Sequence, residues 1–314
     1  MGLASGYPMD AVITCKFRKN NLCSAIEAER LLSFTNTADP LFMFGAVAVG
    51  MFAMPEMGAI LALSHYLSSF LVGIIFRFHG KDRESKQPTA PKQTSFLLLR
   101  AFRAMNQARR EDGRPFGQLL GDAVRTSMNT ILLIGGFIIL FSVFLRIISV
   151  TQLTSALTSL FACGLQALGW HTSLASALVT GLFEIDLGSL AASQTNAPLA
   201  EKIAITSAII AWSGLSVHGQ VASIVIESGI RMTPYMISRL LHAFLAALIS
   251  LLLIDSPFLS HFFISPVFAT TGPDAWLFHL QRTGQNIFYC LAFLLAFSLM
   301  WSTLRRCKTF LQKK

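Results

Sequence analysis

Two carboxylates, Glu184 and Asp186, interrupt the apolar run GLFEIDLGSLAASQTNAP at residues 181–198, and a second polar-interrupted stretch, AWSGLSVHGQVASI at 211–224, follows it. Together they set Glu184, Asp186, Asn196, Ser213, Ser216, His218 and Gln220 in sequence otherwise apolar enough for a bilayer. Ionisable side chains at membrane depth are costly, and they mark solute or ion routes. Hydrophobic residues make up 53% of the 314 and charged residues only 13%, too little polar surface to cover a soluble globule of this size. An all-α polytopic membrane protein is therefore expected, because helices satisfy their own backbone in lipid.

The net charge of +9 is uneven. Nine Lys and Arg fall between Lys81 and Arg114 against four acidic residues, and five more follow Leu304. Both segments are expected on the cytoplasmic side by the positive-inside rule. The basic residues flank membrane helices without interleaved aromatics or a binding motif, so nucleic acid is not an expected partner. Five scattered cysteines without CxxC spacing argue against a disulfide framework and against a metal site. The opening MGLASGYPMD is not a signal peptide, so insertion is expected to use the hydrophobic helices themselves.

Residues 1–15 are turn-rich and shorter than the ~20 residues of a transmembrane helix, and read as a re-entrant half-hairpin. Residues 16–30, with Lys16, Arg18, Lys19, Glu27, Glu29 and Arg30, read as an amphipathic surface helix. A span at 31–53 is broken at Asn36, Asp39 and Pro40, since proline removes a backbone donor and bends a helix. A tight turn at Met54, Pro55 and Glu56 leads into a span at 57–78, completing a first repeat, 1–78. The basic loop 79–126 follows, partly helical at 96–110. Connecting membrane helices occupy 127–180: a span at 127–148 with Arg146 near its end, then apolar stretches at 153–169 and 172–183 that form either a hairpin or two tilted elements. A second repeat, 181–254, holds a hairpin at 181–198, a broken span at 203–226 and an apolar helix at 233–254. An external loop, a last span at 285–304 and a basic cytoplasmic tail fill 255–314.

The repeats align. AERLLSF at 28–34 pairs with AEKIAIT at 200–206, bringing the broken spans into register at an offset of 172 residues. With five residues inserted at 226–230, the next helices also match and His65 falls on His242. Charge bias gives the two repeats opposite paths through the membrane. Inverted repeats with re-entrant hairpins and broken helices are a transporter-like architecture, in which half-helix ends replace the hydration of a polar solute.

SGYPM at 5–9, FTNTADPLFMFGAVAVGMF at 34–52, GLFEIDLGS at 181–189, NAPL at 196–199 and WSGLSVHGQVASI at 212–224 together resemble the YlbJ-type sporulation integral membrane proteins. That family belongs with the nucleoside-recognition, or Gate, domain proteins and shares architecture with concentrative nucleoside transporters. The likeness runs from residue 2 to about 254. It implies a role late in endospore formation, in the mother-cell or outer forespore membrane of a bacterium, with dipicolinate carried toward the developing spore and its cortex. It also implies leading helices ahead of residue 1, and small residues where Asp10 and Asp186 stand.

Candidate solute-binding or coupling residues follow from the breaks. Glu184 and Asp186 are placed to hold a coupling cation or proton, the alternative for Glu184 being a helix cap or a partner for Lys202 or Arg146. Ser213, Ser216, His218 and Gln220 offer donors and acceptors on unwound backbone, with Asn196 nearby, and Asn36, Thr37 and Asp39 occupy the matching break. Ser5 sits at the first hairpin tip. Arg239, three residues from His242, either attracts an anionic carboxylate or snorkels to lipid phosphate. His65 and His242 are each alone on an apolar face and read as packing residues. Three carboxylates would repel a dianion, so a proton, a cation, positive half-helix ends or the arginines must offset them, or the solute is neutral or cationic. The expected function is a transporter or permeation pathway for a small polar metabolite. The residues alone do not separate dipicolinate from a nucleoside, since both need a planar pocket with hydrogen-bonding groups. A scaffold acting through the basic loop is the other reading, and a homo-oligomer fits either. Neither HExxH nor GxSxG occurs, so no enzyme and no cofactor are expected.

Overall fold

The computed structural model describes residues 5–80 and 97–254. The predicted last span and tail at 255–314, and residues 81–96 of the predicted loop, lie outside the described residues. Among the described residues every regular element is helical. Four helical stretches are long and apolar enough to cross a membrane: Met57–Phe76, Phe116–Val150, Leu199–Ser228 and Met232–Ile254. The chain is thus an all-α polytopic membrane protein.

Helix α1 (Met9–Lys19) follows a turn at Gly6, Tyr7 and Pro8, whose Tyr7–Pro8 bond is cis. The single surface helix predicted at 16–30 is in fact split. Asn21 turns the chain with φ of +54°, and Ser24 then opens α2 (Ala25–Thr35) with a capping box. Glu27 N donates to Ser24 Oγ at 3.1 Å, and Ser24 N donates to Glu27 Oε2 at 2.7 Å. Such reciprocal bonds satisfy two amides that a helix N-terminus leaves free, which outweighs continuing one amphipathic helix through Asn20 and Asn21.

Helix α2 stops at the predicted break. Beyond Pro40 the chain resumes as a π-helix, Phe42–Met51, whose wide turn continues into the Phe52 N to Val47 O bond of 3.0 Å. Long π-helical stretches are rare and cluster at functional sites. Helix α3 (Met57–Phe76) ends the first repeat.

The amphipathic helix α4 (Leu97–Asp112) leads through Pro115 to α5 (Phe116–Val150). At about 50 Å, α5 is longer than the ~30 Å hydrocarbon layer, so it extends into what reads in the sequence as loop. The open question at 153–183 has a definite answer. Helix α6 (Leu153–Ala167) packs on α5 and on α7 (Ala175–Phe183), which turns at Glu184 and pairs with α8 (Ile185–Ser193). Each arm, about 13 Å long, is too short to cross, so the pair is a re-entrant hairpin beginning at residue 175. The arms touch at glycines: a Cβ on Gly188 would lie 2.2 Å from Gly181 Cα. Small residues are what let membrane helices approach this closely.

Helix α9 (Leu199–Trp212) breaks at Ser213 and Gly214, with φ of +71° and +73°, and continues as α10 (Gly214–Val225). Gly214 is needed there, because a Cβ would meet the Phe183 carbonyl oxygen at 3.0 Å in a left-handed conformation that L side chains rarely adopt. Helix α11 (Met232–Ile254) completes the second repeat.

Among the described residues, α1 onward in the first repeat and α8 onward in the second run in the same order: short helix, helix, break, half-helix, span. Their contacts are reciprocal. Helix α1 packs on α10 as α8 packs on the π-helix, and α2 packs on α11 as α9 packs on α3. The spans α3 and α11 meet at the centre, where the rings of His65 and His242 lie 4.5 Å apart. A two-fold relation produces this pattern of exchanged contacts.

Candidate functional site

The first break, the turn of the second hairpin and the half-helix α10 face one cavity of about 140 Å³. Ala38, Asp39 and Phe42 line it from the first repeat, and Glu184, Ile185 and Asp186 from the second hairpin; Tyr7, Val217 and Gln220 complete it, with Ile134 and Ile138 of α5 as one wall.

Glu184 is 1% exposed and extended between α7 and α8. Its Oε2 accepts the amides of Asp186 at 2.6 Å and Leu187 at 3.0 Å, and its Oε1 accepts the Ser216 hydroxyl at 3.4 Å. Glu184 is therefore the cap of α8 as well as a cavity residue, at the helix end whose dipole favours negative charge. Neither basic partner predicted for it is in place. Lys202 Nζ donates instead to the Ser193 carbonyl at 3.0 Å, and Arg146 pairs with no described residue. Asp39, at the break of the first repeat, is also a cap: its Oδ1 accepts from Phe42 N at 2.9 Å, at the start of the π-helix. Each repeat thus presents to the cavity a carboxylate that caps a short helix: Asp39 the π-helix beyond the first break, and Glu184 the second arm of the hairpin.

Asp186, on the first turn of α8, and Gln220, 2% exposed on α10, line the same space, and neither side chain has a hydrogen-bond partner among the described residues. The Gln220 amide is thus open to the cavity, where water or a solute can meet it.

Asn36, Thr37, Ser213 and Ser216 are all buried at the breaks but do not line the cavity. Asn36 Nδ2 donates to Tyr235 Oη at 2.7 Å, and the Thr37 and Ser213 hydroxyls donate to the Thr35 and Trp212 carbonyls. His218 is also off the cavity, stacked between Trp212, with centroids 4.3 Å apart, and Tyr235 at 5.2 Å; its Nδ1 lies 2.7 Å from the Gly214 carbonyl. Asn196 is exposed in the turn after α8, and Ser5 is exposed ahead of Gly6. Arg239 is wholly buried, with Nη1 donating to the Asn36 carbonyl at 2.8 Å and Nη2 to the Ser33 carbonyl. It neither reaches lipid phosphate nor lines the cavity. His65 and His242 pack against each other, His65 Nε2 accepting from Ala38 N at 3.0 Å and His242 Nε2 donating to the His65 carbonyl at 2.9 Å.

Two parts of the lining, Tyr7 and the α5 wall, are not among the residues that the sequence singles out. Tyr7 both lines the cavity and donates from Oη to the Ile210 carbonyl at 3.2 Å, while Tyr66, off the cavity, donates to the Ala38 carbonyl at 3.0 Å. Ala38 and Ile210 are matched positions in the repeat alignment, which is the signal that could have found the tyrosines. Ile134 and Ile138 carry no such signal, since they resemble every other apolar residue of α5.

The chain is similar to the sporulation integral membrane protein YlbJ of Bacillus subtilis (strain 168), with 45% identity over 254 residues. The match takes in 81% of this chain and 62% of that relative, so the chain spans less than two thirds of its length. No family model matches the chain, and no solved structure matches it.

Proposed function

Over those 254 residues the chain belongs to the YlbJ-type family of sporulation integral membrane proteins, and from this we propose that it is a transporter or permeation pathway for a small polar metabolite during endospore formation, with dipicolinate moving toward the forespore as the solute. One observation carries the reading: the broken elements of both repeats converge on a single cavity, with the unpartnered Gln220 amide and the Asp186 carboxylate lining it. Helix breaks that supply free backbone groups at a polar cavity are how transporters exchange hydration for protein contacts. Glu184 and Asp186 are assigned to a coupling proton or cation, which offsets their repulsion of a dianion. The setting is the mother-cell or outer forespore membrane, with the C-terminus cytoplasmic. No catalytic step, cofactor or nucleic acid enters. The exposed apolar face of α5, with Ile131, Leu132, Ile139 and Leu140, is available to lipid or to a second copy.

A second reading, a nucleoside-type solute, has its own support: Asp39, Glu184 and Asp186 line the cavity and no basic residue does. That lining suits a neutral or cationic molecule better than a free dianion.

The test reconstitutes the protein into liposomes loaded with terbium, adds dipicolinate outside and follows sensitised emission. Emission is expected to rise with wild type and to fall to the level of empty liposomes with Glu184→Gln, which keeps the shape of the cap. Uridine uptake in the same liposomes, without a dipicolinate signal, would transfer the assignment to the second reading. A wild-type Glu184→Gln coupled with loss of function on deleting the basic loop would favour the scaffold.

A further inference from the structure

A second cavity lies away from the repeat interface, and its chemistry is the reverse of the first. This groove of about 530 Å³ is walled by α5, α6, α7 and α8. Arg146 projects from the last turns of α5, flanked by Ser142 and Ser149; Thr154 and Thr158 come from α6, and Gln194 from the end of α8. None of these six side chains has a hydrogen bond or ion pair with another described residue, and none of the lining residues is acidic.

Arginine stays charged at any accessible pH, and its fork of donors matches the oxygens of a phosphate or carboxylate. Here the guanidinium stands on a helix apolar enough to cross the bilayer, with no counter-ion among the described residues. An unpaired charge on a membrane helix is expensive unless water or an anion meets it. Four hydroxyls and one amide around it supply further donors, while Leu145, Val179, Leu187 and Leu190 make the remainder apolar. The groove lies beside the Thr151–Gln152 turn that joins α5 to α6, where the span ends.

We propose that this groove is an anion site in which Arg146 binds a phosphate or carboxylate group, with the hydroxyls of Ser142, Ser149, Thr154 and Thr158 and the Gln194 amide completing its shell. Two sources carry that chemistry, the headgroup of an anionic membrane lipid and a free anionic solute. The site does not depend on the transport reading, because the central cavity and its carboxylates take no part in it.

The experiment uses the full chain in a neutral detergent and follows thermal unfolding by tryptophan emission. Four probes are titrated at constant ionic strength: phosphatidylglycerol, diacylglycerol as the same lipid without phosphate, inorganic phosphate, and dipicolinate. Wild type is expected to be stabilised by an anionic probe and not by diacylglycerol. Arg146→Gln, at an exposed position where folding is not at stake, should weaken that binding tenfold or more, the loss of a charge-assisted pair. Arg146→Lys should recover part of it, and Thr158→Val should cost severalfold. A response to phosphatidylglycerol alone assigns the groove to lipid, and one to phosphate or dipicolinate assigns it to a soluble anion. The proposal is overturned if no anionic probe stabilises wild type, or if Arg146→Gln binds the probes as wild type does. Neither outcome bears on flux through the central cavity, which Glu184→Gln tests separately.

Discussion

Arg239 is the largest wholly buried side chain among the described residues, and it makes no ion pair with any of them. What it meets is the end of α2: the carbonyls of Ser33 and Asn36, which have no helical partner because the chain breaks after Thr35. A cation at a helix C-terminus is favoured by the dipole, and the guanidinium also sits 5.5 Å from the Tyr235 ring. Replacing it by methionine would leave two buried carbonyls unsatisfied, and Arg239→Met is expected to lower stability by about 2–4 kcal/mol, measured by unfolding in detergent. Lysine at this position, with one donor head instead of a fork, should recover part of the loss. A purely steric dependence holds at the second hairpin. Gly188→Ala would drive a methyl into Gly181 backbone, so α7 and α8 must separate, at a cost of about 2–3 kcal/mol and with faster proteolysis of residues 175–193.

At the scale of elements, helix α2 of the first repeat is tied to the second repeat through Glu29. Its Oε1 accepts Arg231 Nε at 2.7 Å and its Oε2 accepts Arg231 Nη2 at 2.9 Å, while His79 Nε2 lies 2.8 Å from Oε2. One carboxylate thus joins α2, the end of α3 and the turn before α11. Burial pushes the Glu29 carboxyl upward, but the hydrogen bonds from Arg231 and His79 outweigh it and hold the group below the usual carboxylate range. The folded value being the lower one, the stabilisation is fully present above the unfolded pKa of ~4.3 and is lost as pH falls through the folded value. Melting followed between pH 7 and 3 should show that loss in wild type and not in Glu29→Gln. At neutral pH Glu29→Gln is expected to cost about 1–2 kcal/mol, modest because Arg231 is half exposed and rehydrates. The neighbouring Lys19–Glu227 pair, exposed on both sides, should contribute almost nothing.

At the scale of the whole molecule the repeats are not quite equivalent. Glu201 is the counterpart of Glu29 in the alignment, yet its Oε2 takes only the His171 amide at 2.7 Å, since the turn at Met54, Pro55 and Glu56 has no arginine to match Arg231. The two-fold is therefore ionically locked on one face only. On the locked face Cys15 of α1 donates to Ser228 Oγ at 3.5 Å. Ser228→Cys is expected to form a disulfide with Cys15 under mild oxidation, detected by peptide mapping, because the two repeats hold these positions in contact. Two separate cysteine peptides would mean that the packing of α1 on the Ile226–Ser228 turn after α10 is wrong.

The sequence by itself determined the helical class and the two broken elements, because lipid admits only self-satisfied backbone, and because Pro40 and the Ser213–Gly214 pair leave few conformations open. It also made Asp39, Glu184, Asp186 and Gln220 legible, since polar residues in apolar surroundings stand out whatever their neighbours. Only the tertiary structure decided which of the polar residues share a space. Asn36 and His218 carry the same sequence signal as Gln220, yet Tyr235 and Trp212 occupy them, and those partners lie on other helices or across a break. The fork of Arg239 was likewise assigned by two carbonyls that its sequence neighbours do not reveal. Hydrogen-bond partners are long-range contacts, and a residue's own periodicity holds no record of them.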